Sequence, residues 1–379
     1  MLYIKDGSKT RTILEVVALT GEFPAKAVKL LGDYNSWRRR IVDMTKKQTY
    51  RNNATGEQYE CAALYITGKG GDKSIRLTKQ AMPLLDWIGN RKTYEETTTR
   101  FSGPEQAERT HRVAEAILMF HFLGVPIQKK GNPKKGNLPV FVTSKSNYDT
   151  VKNCLDKAEV DKHEIAMFTR VVGAYMCEGT CMAVYNTRST KMKWTPKTEN
   201  KTKSIYQLYA NTICKSATID ALMFGTDYEI GYETMTNATH LGTEHKTESF
   251  FDLYRNTYFV PLNDYGKKLL RILTMPDFVN KLPAILMPEQ NRRKGYGLFD
   301  YDGIVDGQYV ISFLDSNVAR LTTFRLAVDV HFDKNPDKYG IPRIVCYPEQ
   351  EQFVRNLFSG YNYDITKVEI DAILKRLKL

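Results

Sequence analysis

Two acidic residues, Glu178 and Asp302, stand at matching places in two similar nonapeptides of this 379-residue chain. The first nonapeptide is Val171-Val-Gly-Ala-Tyr-Met-Cys-Glu-Gly179, and the second is Gly295-Tyr-Gly-Leu-Phe-Asp-Tyr-Asp-Gly303. Both have glycine at the third position and end in an acid followed by glycine. Carboxylates from two such segments would together hold Mg²⁺ or Mn²⁺, which activates water and stabilises the leaving oxygen in phosphodiester cleavage. The doubled segment predicts two related halves, with Glu178 and Asp302 as metal ligands and catalytic residues at one site.

The nonapeptides are expected to end two helices, Glu164–Glu178 and Asn291–Asp302. Gly179 and Gly303 suit the position after a helix, where positive φ is common. An acid at a helix C-terminus meets the negative end of the helix dipole, and a bound cation would offset that cost. Glycine at the third position would let the two helices pack closely. The alternative is two buried helices with ordinary C-terminal caps and no metal.

The regions around the two nonapeptides share one predicted plan. From about residue 160, apolar periodicity predicts helix, strands, helix, strands, helix, and the same order follows from about residue 281. We therefore expect an α+β multidomain protein, with halves at residues 160–280 and 281–379. Residues 93–159 are expected to form a hinge, a long connecting helix and a basic loop.

The first 92 residues are the most basic part of the chain. They hold 17 Lys and Arg against 9 Asp and Glu, a net charge of +8 out of 55 − 43 = +12 for the whole protein. Three predicted helices and a glycine-turned hairpin give the order of a winged helix-turn-helix domain. In the third helix Trp37, Ile41 and Met44 recur at helical spacing, so Arg38 and Arg39 point outward. The alternative is a small basic helical domain with no role in DNA binding.

Seven basic residues of this segment are predicted to contact DNA, because they lie on the third helix, just after it, or on the hairpin. They are Arg38, Arg39, Lys46, Lys47, Lys69, Lys73 and Arg76.

The sequence lacks the motifs of zinc-binding, secreted, membrane and nucleotide-binding proteins. The six cysteines are spread out, and Cys177 and Cys181 have no further cysteine or histidine to complete a zinc set. There is no signal peptide and no apolar run near 18 residues, so we expect an intracellular protein with reduced thiols and no membrane partner. No phosphate-binding loop or dinucleotide fingerprint is present.

Gly295-Tyr-Gly-Leu-Phe-Asp-Tyr-Asp-Gly303 resembles the motif that names the LAGLIDADG homing endonucleases, and Val171–Gly179 resembles a looser copy that departs at Val171 and Met176. Lys281-Leu-Pro283 and Arg292-Arg-Lys294 are similar to the run-up to the second motif. The resemblance implies two αββαββα halves in one monomeric chain, packed through the motif helices. It also implies that the motif acids bind divalent metal and that two curved sheets form a saddle on double-stranded DNA.

By position, Glu178 and Asp302 match the metal-binding acids of that family. Four basic residues on or after the first saddle hairpin are predicted to contact DNA: Arg188, Lys191, Lys193 and Lys201.

Two functions follow from the resemblance. The first is a Mg²⁺-dependent, site-specific endonuclease that cuts both strands of DNA. The second keeps the fold but binds DNA or RNA without cutting, as a regulator or splicing maturase of a mobile element. A third hypothesis, from outside the family, is a protein-interaction scaffold for which nucleic acid is irrelevant.

Overall fold

The computed structural model describes residues 1–97, 104–129, 133–144, 169–237, 249–293 and 298–379. The chain divides into two compact units. Unit 1 consists of residues 1–131 with 143–146, and unit 2 of residues 132–142 with 147–379. The mixture of helices and sheets confirms the α+β multidomain class. No helix within the described ranges is long and apolar enough to cross a membrane.

Unit 1 begins with alternating short strands and helices. They are β1 (Leu2–Ile4), α1 (Lys9–Thr20), β2 (Phe23–Pro24), a 3₁₀-helix (Ala25–Leu31), α2 (Tyr34–Met44), β3 (Gln48–Asn52), β4 (Gln58–Cys61), β5 (Leu64–Thr67), β6 (Ser74–Leu77), α3 (Met82–Trp87), α4 (Arg91–Thr97), α5 (Pro104–His121) and β7 (Ile127–Gln128).

The three helices predicted at the start of the chain are present. Ser8 caps α1 by accepting a hydrogen bond from the Arg11 amide, and Asp33 caps α2 by accepting one from the Ser36 amide. The cap of α2 therefore lies slightly earlier than Asn35 or Ser36, because an aspartate is an equally good N-cap. The predicted hairpin is also present, since β5 and β6 pair antiparallel with Leu64 opposite Leu77. Strand β2, between α1 and the 3₁₀-helix, pairs with β6.

The elements after residue 133 again alternate between strands and helices. They are β8 (Val140–Thr143), β9 (Gly173–Cys177), β10 (Thr180–Arg188), α6 (Pro196–Tyr209), β11 (Asp220–Gly225), α7 (Tyr228–Thr236), α8 (Phe250–Leu253), β12 (Thr257–Pro261), α9 (Asp264–Leu273), α10 (Phe278–Leu286), β13 (Gly303–Val305), β14 (Gln308–Ser312), α11 (Val318–Ala327), α12 (Pro336–Tyr339), β15 (Arg343–Cys346), α13 (Glu351–Leu357), β16 (Asp364–Lys367) and α14 (Ile370–Leu377).

These elements form one plan that occurs twice. Residues 173–273, the first repeat, run as hairpin β9–β10, helix α6, strand β11, helix α7, strand β12 and helix α9. Residues 303–377, the second repeat, run as hairpin β13–β14, then α11, β15, α13, β16 and α14. In both repeats the hairpin is antiparallel and the next two strands add in parallel. Helices α6 and α11 also both continue into a five-residue π-helix.

The order of elements predicted for each half is wrong in detail. The αββαββα plan expects hairpins on both sides of the central helix. The structure instead has one hairpin followed by parallel strands, because a helix separates each later strand from the one before it. Parallel neighbours need such a crossover, whereas antiparallel ones need only a tight turn. Met192–Thr195, for which the sequence predicts a β-like segment, is not a strand. Tyr228–Tyr232, for which it predicts a β-like or mixed segment, lies in helix α7.

The two motif helices are also contradicted wherever the structure describes their residues. Gly173–Cys177 is strand β9, and Glu178–Gly179 is the turn of its hairpin. Residues 298–302 form no helix, and Gly303 begins β13. Residues 164–168 and 294–297, also assigned to these helices, lie outside the described residues. An unbroken apolar run of five to eight residues followed by an acid and glycine equally suits a buried strand and its turn.

The hairpins correct the alignment of the two halves. Cys177 pairs with Thr180 across Glu178–Gly179, and Val305 pairs with Gln308 across Asp306–Gly307. The counterpart of Glu178 is therefore Asp306, not Asp302.

Candidate functional site: a charged pocket between the repeats

The two predicted metal ligands, Glu178 and Asp302, lie in different sheets and in opposite environments. The Glu178 side chain is 75% exposed on its turn and contacts Lys215 at 3.3 Å. The Asp302 side chain is only 5% exposed, just before β13. No hydrogen bond or ion pair among the described residues joins them. The structure therefore does not bring these acids to one site, because only one of them ends up beside a pocket.

Asp302 is held by an arginine and a backbone amide. Its Oδ1 accepts from Nη2 of Arg320 at 2.8 Å, and its Oδ2 accepts from Nη1 at 3.3 Å and from the Ser312 amide at 2.5 Å. Both carboxylate oxygens thus already have protein donors, which suits an ion pair better than a metal ligand. No group of three or more His, Cys, Asp or Glu side chains in the described ranges is arranged to hold a metal ion.

Arg320 connects three carboxylates. Besides Asp302, its Nε donates to Asp300 at 2.7 Å, and Asp300 also accepts from Arg293 at 2.6 Å. Burial alone would lower the pKa of Arg320, but the charges of Asp302, Asp300 and Asp315 outweigh burial and raise it. Arg320 is consequently a permanent cation at the start of α11.

Asp315 is the second buried carboxylate of the cluster, with a residue exposure of 8%. Burial raises its pKa to about 6, with the nearby charge of Asp302 adding to the rise and that of Arg320 opposing it. Its Oδ1 accepts from the Asn317 amide at 3.0 Å. Asp315 therefore titrates near neutral pH, unlike an exposed aspartate.

These groups line a pocket of about 650 Å³ where the first repeat meets the second. The first repeat contributes Arg255 and Asn256, helix α10 contributes Asn280 and Pro283, and the second repeat contributes the cluster around Arg320. Among the described residues, seven charged ones line it: Arg255, Arg292, Arg293, Arg320, Asp300, Asp302 and Asp315. A pocket of this size and polarity is suited to a small charged ligand.

In the first repeat, the start of the helix after the hairpin carries a buried glutamate in place of an arginine. There Glu199, in the first turn of α6, accepts from Thr169 Oγ1 and from the Arg170 amide, both at 2.9 Å. It also accepts from Tyr185, whose hydroxyl lies 2.8 Å from that of Tyr254. Burial raises the pKa of Glu199. In both repeats a residue in the first turn of the helix after the hairpin is thus hydrogen-bonded to the segment before the hairpin. In the first repeat this residue is Glu199, which lies in a closed hydrogen-bond network. In the second it is Arg320, which borders a pocket.

The basic residues predicted to bind DNA in unit 1 lie mostly at the surface. Arg38 and Arg39 are exposed on α2, and Lys46 and Lys47 are exposed just after it. Lys47 contacts Glu60 at 3.0 Å. Lys69 and Lys73 are exposed in the β5–β6 connection. We call this set of six residues, Arg38, Arg39, Lys46, Lys47, Lys69 and Lys73, the basic face.

Arg76 is the exception in unit 1, because its guanidinium is already engaged. It donates to Glu22 at 2.6 Å, inside a cluster where Ser74 Oγ lies 2.6 Å from Nε2 of His111. Burial alone would raise the pKa of Glu22, but hydrogen bonds from His111, Ser74 and Arg76 outweigh it and lower the pKa to about 2. Arg76 is placed to hold the end of α1 to β6 rather than to contact DNA.

The four basic residues predicted in unit 2 surround the end of the first hairpin. Arg188 ends β10 with a φ of 58°, Lys191 and Lys193 are exposed in the following loop, and Lys201 lies in α6. The saddle hairpin to which they were assigned instead lies inside a larger sheet, which β11 and β12 extend in parallel beyond β10.

Sequence reasoning identified Asp302 but missed Arg255, Arg293, Asp315 and Arg320 as its neighbours in one pocket. The Arg292–Lys294 run was noticed only through the family resemblance. Comparison with protein-family models, curated proteins and solved structures finds no match to this chain. The LAGLIDADG resemblance therefore stays a prediction from the sequence.

Proposed function

We propose that this protein binds double-stranded DNA through the basic face of unit 1 and that it does so without cutting the DNA. The observation that carries the proposal is the exposure of α2. Only Ile41 and Met44 of its eleven residues are buried, whereas Arg38 and Arg39 face solvent. Because α2 packs on the rest of unit 1 through these two apolar side chains, its opposite side is available to a partner.

The shape of this surface suits a DNA duplex. An α-helix fits the major groove, where arginine reads guanine, and a hairpin beside it can reach the phosphate backbone. Helix α2 would enter the major groove. The β5–β6 connection, with Lys69 and Lys73, would contact the phosphate backbone. The order α1, β2, 3₁₀-helix, α2 and then a hairpin that pairs with β2 supports the winged-helix assignment, with β3–β4 as an insertion.

The affinity of the full chain for duplex DNA tests this proposal. We expect Arg38→Ala with Arg39→Ala to weaken binding by about 1–3 kcal/mol per specific contact, measured by fluorescence anisotropy at fixed salt. The matched control is Arg271→Ala with Lys375→Ala, which removes the same charge from exposed positions of α9 and α14 in unit 2. If both double substitutions weaken DNA binding equally, binding depends on net charge alone and the assignment to the basic face is wrong.

Strand cleavage is the second candidate function, and the position of Asp302 in an arginine-lined pocket favours it. The two-acid metal site does not fit, because Glu178 lies elsewhere and both Asp302 oxygens have partners. Adding Mg²⁺ or Mn²⁺ to the same DNA mixtures tests cleavage. Uncut DNA supports the binding function. Products that disappear with an Asp302→Asn variant that keeps the circular-dichroism spectrum and melting temperature of the parent would establish the endonuclease. Duplex RNA in parallel identifies the preferred nucleic acid, and gel filtration tests the predicted monomer.

A further inference from the structure

The charges that line the pocket between the repeats do not all neutralise one another. Asp300 and Asp302 are bonded to Arg293 and Arg320, and Asp315 is close to Arg320. These three acids are therefore matched by two arginines with multiple donors. Two other lining arginines, Arg255 and Arg292, have no carboxylate within 4 Å in the described part of the chain.

Arg255 and Arg292 retain donors for a ligand. Arg255 is exposed, and Arg292 is half-buried with its Nε donating to the Met287 carbonyl at 3.3 Å. The terminal nitrogens of Arg292 are not used by that bond. Guanidinium groups bind phosphate through paired, charge-assisted hydrogen bonds, so two of them at one pocket form a phosphate site.

The remaining walls are preorganised. Arg320 is fixed by Asp300 and Asp302, and Asn317 donates from its side chain to Asn256 at 2.9 Å, which joins the two repeats beside the pocket. Fixed walls lower the ordering cost of binding. The volume of about 650 Å³ is larger than an inorganic phosphate requires and lies in the range that holds a nucleotide.

We infer that this pocket binds a phosphate monoester of nucleotide size, with Arg255 and Arg292 holding the phosphate. The ligand is either a free nucleoside monophosphate or the phosphorylated end of a nucleic-acid strand, since both present the same dianionic group. The inference concerns unit 2 and does not depend on DNA binding by unit 1.

Isothermal titration of the full chain with adenosine monophosphate and with adenosine tests this site. We expect the monophosphate to bind at least about tenfold more tightly than adenosine, which is the effect of one charge-assisted hydrogen bond. Displacement of bound adenosine monophosphate by a 5′-phosphorylated oligonucleotide, but not by the same strand with a 5′-hydroxyl, would assign the site to strand ends. No displacement by either strand would assign it to free nucleotides. Equal binding of adenosine and its monophosphate, or binding of neither ligand, overturns the inference.

Two variants locate the phosphate in the pocket. Arg255→Gln and Arg292→Gln should each weaken monophosphate binding about tenfold or more, whereas Arg271→Gln, on the exposed side of α9, should bind as the parent does. Parental affinity in both pocket variants contradicts the assignment. If Arg292→Gln fails to fold, Arg255→Gln, at an exposed position, and the comparison of adenosine with its monophosphate still decide the question.

Discussion

Arg320 and Asp302 are the residues on which the pocket depends. Their pair is almost fully buried, with side-chain exposures of 18% and 5%. A buried ion pair adds little by itself, but removing one partner leaves an uncompensated charge. The first structural effect of changing Asp302 is therefore on folding, before any effect on ligand or metal.

We expect Asp302→Ala to lower the free energy of unfolding by about 3–5 kcal/mol, because it removes the carboxylate that accepts hydrogen bonds from Arg320 and from the Ser312 amide. Urea denaturation at neutral pH measures the loss. Asp300→Ala is the control, since Asp300 is 49% exposed and its loss should cost under about 1 kcal/mol. Equal effects of the two substitutions would contradict the structural role of Asp302.

Asp315 gives a prediction about pH. Burial raises its pKa to about 6 in the fold, against 3.8 for an ordinary aspartate. The folded protein thus keeps a proton that the unfolded chain loses, so the stabilising contribution is complete below about pH 4 and is lost as pH rises through about 6. Asp315→Asn removes this dependence. Its stability relative to the parent should rise by about 2 kcal/mol between pH 4 and pH 7.

Urea titrations of both proteins at a series of pH values provide the measurement. Asn at this position can still accept from the Asn317 amide, so the local turn is retained. A constant difference between the two proteins across pH 4 to 7 would show that Asp315 titrates normally.

At the scale of elements, the two hairpins decide how the repeats align. Asp306 and Gly307 both have positive φ, 51° and 78°, as in a type I′ turn, which matches the twist of antiparallel strands. In the turn of the other hairpin, Glu178–Gly179, only Gly179 has positive φ, at 78°. Glu178-Gly179 is thus a turn like Asp306-Gly307, whereas Asp302 precedes the second hairpin and has no counterpart in the turn of the first.

Gly307→Ala should destabilise the protein by about 1 kcal/mol, because a side chain in the left-handed region is strained even where nothing crowds it. Gly307→Asn is the matched variant and should cost less, since asparagine tolerates this conformation. Thermal unfolding compares the two. An alanine variant that melts with the parent would contradict the turn.

Elements with strong local signals were predictable from sequence. Helix α9 was expected at its observed bounds, Asp264–Leu273, and α11 within one residue of its own. Both follow an asparagine cap and bury a periodic apolar face. Strands β9 and β10 are buried along most of their length, so β9 has no alternation to distinguish it from a helix. Strand β16 was not predicted, because its four residues are mostly exposed and therefore give little apolar signal.

The pocket was less predictable than the elements. Asp302 was identified from its motif, but Arg255, Arg293 and Arg320 come from separate segments that only the tertiary fold brings together. Charged residues in such segments usually form solvated surfaces, so nothing in their local sequence indicates convergence. The basic face, by contrast, was predictable because its residues follow one helix and one hairpin.

At the scale of the whole molecule, charge is the feature that connects sequence to function. Residues 1–92 carry +8 of the total net charge of +12. A local excess of this kind attracts a polyanion and makes its binding depend on salt. Unit 1 therefore accounts for the DNA affinity in our proposal, and unit 2 supplies the repeats and their pocket.

The measurement that tests the DNA-binding account most directly is the slope of the logarithm of the binding constant against the logarithm of salt concentration. For duplex DNA, each phosphate contact contributes about −0.9 to that slope. We predict that Lys69→Ala with Lys73→Ala, which removes the two proposed phosphate contacts, makes the slope shallower by about 2, while Arg271→Ala with Lys375→Ala leaves it unchanged. An unchanged slope in the first pair would contradict the assignment of the basic face to DNA.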